Sequence, residues 1–406
     1  MSAPKLRFKE FDGDWGFKKI GDISECIVPG RNKPKLFDGD IPWVTTPDLK
    51  DKTYVSDTRS NYYISEEEAK TVGSKIVPAN SVIMSCVGDL GLFAINTKPI
   101  VINQQLHAFI LDDHKYSSIF ILNALSKNQD YIEKVATKTA LPYLNKDNCN
   151  SIPLFLCSFK EQTKIASFLS AVDEKISQLT QKHQLLSQYK QGMMQKLFSQ
   201  QIRFKADDGS EFGEWEKLTL SQISKHIGGT ALESYVSECG DYNFISIGNY
   251  STNGKYIDNS QRIILNEKTG TKLLDKDDLV MVLNDKTATG DLIGSTILIN
   301  EDNKYIYNQR SERIICNKSK VLSVYLWHFL NSEMMRSEVR KLAQGGTQIY
   351  INFSSVLSII FLLPCLAEQN KIANFLSAID QKIEVVAQQI EQAKQWKKGL
   401  LQQMFV

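Results

Sequence analysis

The chain carries one block of sequence twice, and that duplication limits its architecture more than any other feature. Lys164-Ile-Ala-Ser-Phe-Leu-Ser-Ala-Val-Asp-Glu-Lys-Ile176 returns as Lys371-Ile-Ala-Asn-Phe-Leu-Ser-Ala-Ile-Asp-Gln-Lys-Ile383, displaced by 207 positions. The same displacement pairs Tyr143 with Tyr350, Glu161-Gln162 with Glu368-Gln369, and Phe198 with Phe405 without a gap. Upstream the halves match more loosely: Gly88-Asp89-Leu90 echoes Gly290-Asp291-Leu292, and Asn103-Gln104 echoes Asn308-Gln309. Each half is therefore a variable section followed by a nearly invariant one. A unit this long is a duplicated domain rather than a solenoid repeat, and 406 residues is more than one hydrophobic core usually serves.

The invariant sections read as long helices. No proline interrupts Phe159 to Phe198, and Ser158 with Glu161 has the spacing of a capping box. Cys365 replaces the serine in the second copy. Apolar residues recur at steps of four and three, through Val172, Ile176, Leu179, Leu186 and Met193 in one copy. Ile379, Ile383, Val386, Ile390 and Leu400 repeat the pattern in the other. This is a heptad seam, and a helix of that length spans roughly 60 Å. His183 and Lys190 place polar groups in it, as Lys397 does in the repeat. Two matching helices in one chain most simply pack antiparallel on each other.

The variable sections read as β-rich, with short apolar runs such as Ser81 to Ser85, Leu106 to Leu111, Leu279 to Leu283 and Arg313 to Cys316 between turn residues. Ser65 to Val72 reads as a capped helix and Leu322 to Ala343 as a longer amphipathic one. The expected fold is α+β: two β-rich domains separated by two long antiparallel coiled-coil helices in a pseudo-twofold duplication. The expected boundaries are 1–158, 159–200, 201–365 and 366–406.

At this point the residues resemble a known family, the specificity subunits of type I restriction-modification systems. The resemblance rests on Gly345-Gly-Thr-Gln-Ile-Tyr-Ile-Asn352, on Leu363 to Ile372, on the closing Lys398-Gly-Leu-Leu-Gln-Gln-Met404, and on Ile41-Pro-Trp-Val-Thr-Thr-Pro-Asp-Leu49. Lys138-Thr-Ala-Leu-Pro-Tyr143 departs from the Gly-Gly-Thr run in the first half. It implies a non-catalytic DNA reader whose two recognition domains take different half-sites of an asymmetric, split target. It also implies methyltransferase subunits, two of them, using S-adenosylmethionine, and motor-nuclease subunits using ATP and Mg, with no cofactor bound by this chain.

Composition neither announces nor forbids this. A net charge of +2 lacks the basic excess of many nucleic-acid binders, although a basic face can hide in a neutral total. No phosphate-binding loop, His-Glu-x-x-His, Gly-x-Gly-x-x-Gly or Asn/Asp-Pro-Pro run occurs. The seven cysteines show no metal spacing and read as reduced thiols, so no metal site is expected. The charged start from Lys5 and the lack of an eighteen-residue apolar run lead us to expect a cytoplasmic protein with no membrane contact.

Base edges are read by side chains with matching donors and acceptors. Candidates in the first domain are Arg31, Lys33, Lys35, Thr45, Thr46, Asp48, Lys138 and Tyr143. In the second they are Gly229, Thr230, Ser246, Asn249, Lys286 and the Asn308-Gln309-Arg310 turn, with Gly345, Gly346 and Thr347 able to bring amides to a phosphate. Asn103-Gln104 and Asn308-Gln309 have a second reading, as holders of a buried loop. Glu161-Gln162 and Glu368-Gln369 are candidates for docking the catalytic subunits. Two rival readings are a DNA-binding regulator working alone and a coiled-coil scaffold protein.

Overall fold

The computed structural model describes residues 3–406 except Arg31, Asp51, Thr287, Ala288 and Thr347. The chain folds as two compact units, residues 1–180 with 388–406, and residues 181–387.

In the first unit a five-stranded sheet has the order Ser24–Ile27, Leu106–Leu111, Val82–Ser85, Phe93–Asn96, Tyr54–Val55. Its central strand is buried throughout, because alternate side chains enter different cores. Val82 and Met84 join the Trp15, Phe109 and Phe120 cluster, while Ile83 packs with Val44, Ile102 and Ala108 on the other face. That two-sided burial explains why the strand reads as a continuous apolar run. A three-stranded sheet has Ile41–Val44 between Tyr63–Ile64, antiparallel, and Val101–Ile102, parallel. Gly16–Lys19 pairs with Pro153–Leu156 just ahead of the first long helix.

The second unit repeats the plan. Its main sheet runs Ser224–Gly228, Ser311–Cys316, Leu279–Val282, Thr296–Leu298. Leu279 and Met281 face one core, Val280 and Val282 the other. Tyr242–Ile245 lies between antiparallel Arg262–Ile263 and parallel Tyr305–Tyr307. Glu216–Thr219 pairs with Ile360–Leu363.

The long helices are Phe159–Phe198, 40 residues, and Leu366–Met404, 39 residues. In the first unit, Ile165, Leu169 and Val172 from the start of one helix share a core with Leu400 and Met404 from the end of the other. In the second unit, Met194 and Leu197 from the end of the first helix share a core with Ile372, Leu376 and Ile379 from the start of the second. The pairing is antiparallel in both units, as expected. Val172, Leu179, Ile379, Val386 and Leu400 are buried, and Ile176, Leu186, Met193, Ile383 and Ile390 partly so. The two seam lysines form ion pairs that recur with the repeat: Lys190 with Asp380 at 2.7 Å, and Lys397 with Asp173 at 2.5 Å.

Three expectations are corrected. Leu322 to Ala343 is two helices, Ser323–Leu330 and Glu333–Lys341. Asn331 spends its amide on the Thr296 and Trp327 carbonyls, and Ser332 caps the second helix by accepting from Met335 N. The strand Ile349–Tyr350 is short, because Asn352 accepts from Ser354 N and opens a helix at Phe353. The capping box at Ser158 is half formed: Ser158 Oγ accepts from Glu161 N at 3.3 Å, but both carboxylate oxygens of Glu161 accept from Arg7. Finally, Glu161-Gln162 and Glu368-Gln369 offer no docking surface, because all four are buried. Gln162 accepts from Ser117 N and donates to the Cys157 carbonyl, while Gln369 accepts from Leu322 N and donates to the Lys320 and Pro364 carbonyls. These residues fasten each β-rich layer to the helix that follows it.

Candidate nucleic-acid interface

In each unit the loops that carry the candidate residues are joined to one another by hydrogen bonds. In the first, Asn103 N donates to the Val44 carbonyl (2.9 Å) at the head of the turn 45–48. Gln104 Nε2 donates to the Gly30 carbonyl (3.3 Å), at the start of the loop bearing Lys33 and Lys35. The Gln105 carbonyl accepts from Cys86 N (2.7 Å), and the Pro142 carbonyl from Gly88 N (3.0 Å), which ties the segment 138–143 to the loop after the central strand. The second unit joins the corresponding loops through backbone amides: Asn308 N to the Ile245 carbonyl (3.0 Å), Gln309 N to Thr230 (2.8 Å), Leu283 N to Arg310 (2.8 Å) and Ile351 N to Leu283 (2.9 Å). Tyr143 pairs with Val87 in one unit as Tyr350 pairs with Asn284 in the other, and both tyrosines are exposed.

The candidates divide by burial. Asp48 is fully buried; its Oδ2 accepts from Thr45 N and Oγ1, and its Oδ1 from Arg59 N. Asn249 is also fully buried, accepting from Ser246 N (2.9 Å) and donating to the Ile257 carbonyl (2.8 Å). Thr46 is buried and bonds Gln105. These three hold the turns that present Thr45 and Ser246, which are half-buried. Of the two readings of the Asn-Gln pairs, the asparagines are buried and committed to their loops. Asn308 accepts from Leu232 N and donates to Glu233, and Asn103 bonds Gln105. Their glutamines are more accessible.

Lys33, Lys35, Lys138, Lys286, Arg310, Gly345 and Gly346 are exposed, while Gly229 and Thr230 are half-buried. Lys33 sits 5.6 Å over the Trp43 ring. Arg31 and Thr347 lie outside the described residues. Gly229 is required by close approach, since a Cβ there would meet the Asn308 carbonyl oxygen at 1.9 Å; Gly345 has φ +99°, where side chains are strained.

Five candidates of the second unit meet in one cleft of about 320 Å³: Ser246, Lys286, Asn308, Gln309 and Arg310. Gln261 and Glu233 line it too. Neither was marked by the sequence, because neither lies in a segment shared by the two halves. Asn308, donating to Glu233, holds its carboxyl below the ordinary range, so the cleft offers a charged acceptor beside two cations. Arg336, buried on the helix Glu333–Lys341, donates to the Thr252 and Asp291 carbonyls and so braces the loop behind Lys286; burial lowers its guanidinium to about 10. Such a surface suits duplex edges: cations for guanine or phosphate, amides for adenine, a carboxylate for an amino group.

Comparison with known proteins settles the lineage. The family model described as type I restriction modification DNA specificity domain matches residues 12–188 and again 213–395. The chain belongs to this family. Like other specificity subunits, it is a DNA-recognition component and not a catalytic one. The type I restriction enzyme MjaVIII specificity subunit of Methanocaldococcus jannaschii is 27% identical, covering 97% of this chain and 94% of that protein. The EcoR124I/EcoR124II specificity subunit of Escherichia coli is 26% identical over 43% of this chain and 45% of its own length. The crystal structure of an S subunit from M. genitalium has the same fold, with a TM-score of 0.60 at 16% identity over 100% of this specificity subunit and 99% of that chain. A structure described in connection with complex assembly and conformational transition of the type I system follows at TM-score 0.55 and 12% identity, over 97% of both chains. Among the described residues, no helix is long and apolar enough to cross a membrane.

Proposed function

We propose that this specificity subunit reads an asymmetric, two-part duplex target, each unit applying its linked loops to one half-site in a major groove. One observation carries the reading: the same scaffold of bonded loops occurs in both units with different side chains upon it. Exposed Lys33, Lys35 and Lys138 stand on the first unit's loops, while Lys286, Arg310, Gln261 and Glu233 line one cleft of the second. A shared scaffold with divergent tips is what two related readers of unlike sequences need, much as dimeric readers split a site between subunits. The continuous helix pair sets the unread spacer and recruits two methyltransferase subunits, which use S-adenosylmethionine to modify adenine. Motor-nuclease subunits, using ATP and Mg, cut unmodified DNA, and the assembly works in the cytoplasm.

Replacing residues 1–158 with those of a relative of different specificity tests this directly. Mapping methylated adenines made by the assembled complex should then show one half-site changed and the other intact. A change in both, or in neither, overturns the assignment. Copurification without a methyltransferase would overturn the recruitment.

A further inference from the structure

Beneath the first unit's loop face lies a buried group the recognition function does not use. Cys86 follows the central strand Val82–Ser85, His107 lies on the neighbouring strand Leu106–Leu111, and Cys149 lies in the helix Lys146–Asn150. The Cys86 and Cys149 sulfurs are 3.5 Å apart, and His107 Nδ1 is 3.2 Å from the Cys149 sulfur. All three donor atoms lie within 4.8 Å of one another, and all three residues are buried.

The geometry points to a structural zinc site formed by Cys86 Sγ, Cys149 Sγ and His107 Nδ1. Zinc–sulfur bonds of ~2.3 Å and zinc–nitrogen bonds of ~2.0 Å at tetrahedral angles place ligand atoms roughly 3.5 to 3.8 Å apart. The two edges at Cys149 are slightly shorter and the third is within 4.8 Å, so small adjustments shape the cluster around an ion. Charge favours the same ion. Each thiol loses one proton on binding, and two thiolates with a neutral imidazole balance a divalent cation, so no net charge is buried. Harder cations prefer oxygen donors, of which the cluster has none. The cluster supplies three protein ligands, and an exogenous ligand such as water would complete the tetrahedron.

The site has a structural purpose. Cys86 N donates to the Gln105 carbonyl and the Cys86 carbonyl accepts from Leu144 N. Zinc there would clamp the roots of three reading loops in the first unit alone. The strand register and the repeat put Leu283, Glu312 and Val356 at the corresponding places of the second unit, a set that cannot bind zinc in this way. Glu312 instead pairs with His226 at 2.7 Å.

The test uses the reduced full chain, incubated with zinc sulfate and dialysed against buffer, with bound metal measured by mass spectrometry. We expect about one zinc per chain. Cobalt substitution should give a thiolate-to-cobalt charge-transfer band and strong visible absorption from tetrahedral geometry. Cys149→Ser and His107→Ala should each lose the zinc, with circular dichroism confirming that they fold. Cys26→Ser and the double variant Cys239→Ser with Cys365→Ser should retain it. Wild type that holds no zinc while its thiols remain reduced overturns the proposal. Loss of metal with the exposed cysteines, or with Cys26, overturns this ligand set. A mass lower by two hydrogens, assigned to a Cys86–Cys149 disulfide in freshly purified protein, would replace the metal with a redox pair.

Discussion

Glu161 and Glu368 occupy the same place in the duplication, and the difference between their surroundings allows one to calibrate the other. Glu368 accepts from Arg203 Nε (3.0 Å) and Nη2 (2.8 Å), and also from Trp215 Nε1 (2.9 Å). Glu161 accepts from Arg7 Nε (2.7 Å) and Nη2 (2.8 Å), but the Trp15 indole finds no acceptor among the described residues. Removing one partner of a buried ion pair destabilises by about 3–5 kcal/mol. The arginine side chains keep 16% and 20% exposure and can partly rehydrate, which puts both losses near the low end. Glu368→Ala additionally strands the Trp215 N–H, and a bond to a charged acceptor contributes about 1.5–3 kcal/mol. Glu161→Ala should therefore cost about 3 kcal/mol, and Glu368→Ala about 1.5 kcal/mol more. Native-state hydrogen exchange reads this unit by unit. The first variant should lower protection in residues 1–180, the second in 181–387. Equal losses, or a larger one at Glu161, would refute the role given to the tryptophan bond.

Acid should weaken the second unit through His328. Burial, and then Lys190, hold it well below its ordinary 6.5, so the unfolded chain takes up a proton first and stability falls as pH drops below about 6.5. Urea midpoints at pH 7.5 and 5.5 should differ less in His328→Leu than in wild type; an unchanged difference refutes this. Arg310→Ala should weaken binding by about 1–3 kcal/mol and relax one position of a single half-site in a methylation map, or else lower the salt slope by about one if it contacts phosphate. Unaltered affinity, motif and slope would remove it from the interface. Asn249→Ala should cost about 2 kcal/mol by releasing the turn at Ser246, seen as lost exchange protection there, and a protected turn would count against it. A double-mutant cycle with Lys190→Met and Asp380→Leu should show coupling of at least about 1 kcal/mol, because each single change leaves a half-buried charge unpaired.

The helices and the sheet cores were legible because their signals are periodic and local. Heptad spacing across Val172 to Met193 and unbroken apolar runs such as Leu279 to Val282 report burial directly. The break at Asn331–Ser332 was not, because apolar residues continue on both sides and only Asn331's bond to Thr296, distant in sequence, reveals the turn. The duplication also located the loops of the candidate interface but could not rank their residues. Asp48 and Asn249 look in sequence like readers; they are buried because each closes a turn on its own backbone. Glu161-Gln162 and Glu368-Gln369 recur so faithfully because they lock the β-rich layer to the helix, a need both units share.

That contrast separates two kinds of conserved pattern inside one chain. Residues repeated at the 207 displacement are those whose partners are also repeated, as with Lys190 and Asp380 against Lys397 and Asp173. The proposed reading residues Lys33, Lys138, Lys286 and Arg310 are not repeated between the halves, as readers of unlike half-sites should not be. The group Cys86, His107 and Cys149 fits neither class: it is fully internal yet absent from the second unit, where Leu283, Glu312 and Val356 stand. Internal packing alone gives no reason for three metal-competent side chains to converge in one copy. An added requirement on the first unit does, and stiffening the roots of one reading face without touching the other is the requirement their position meets.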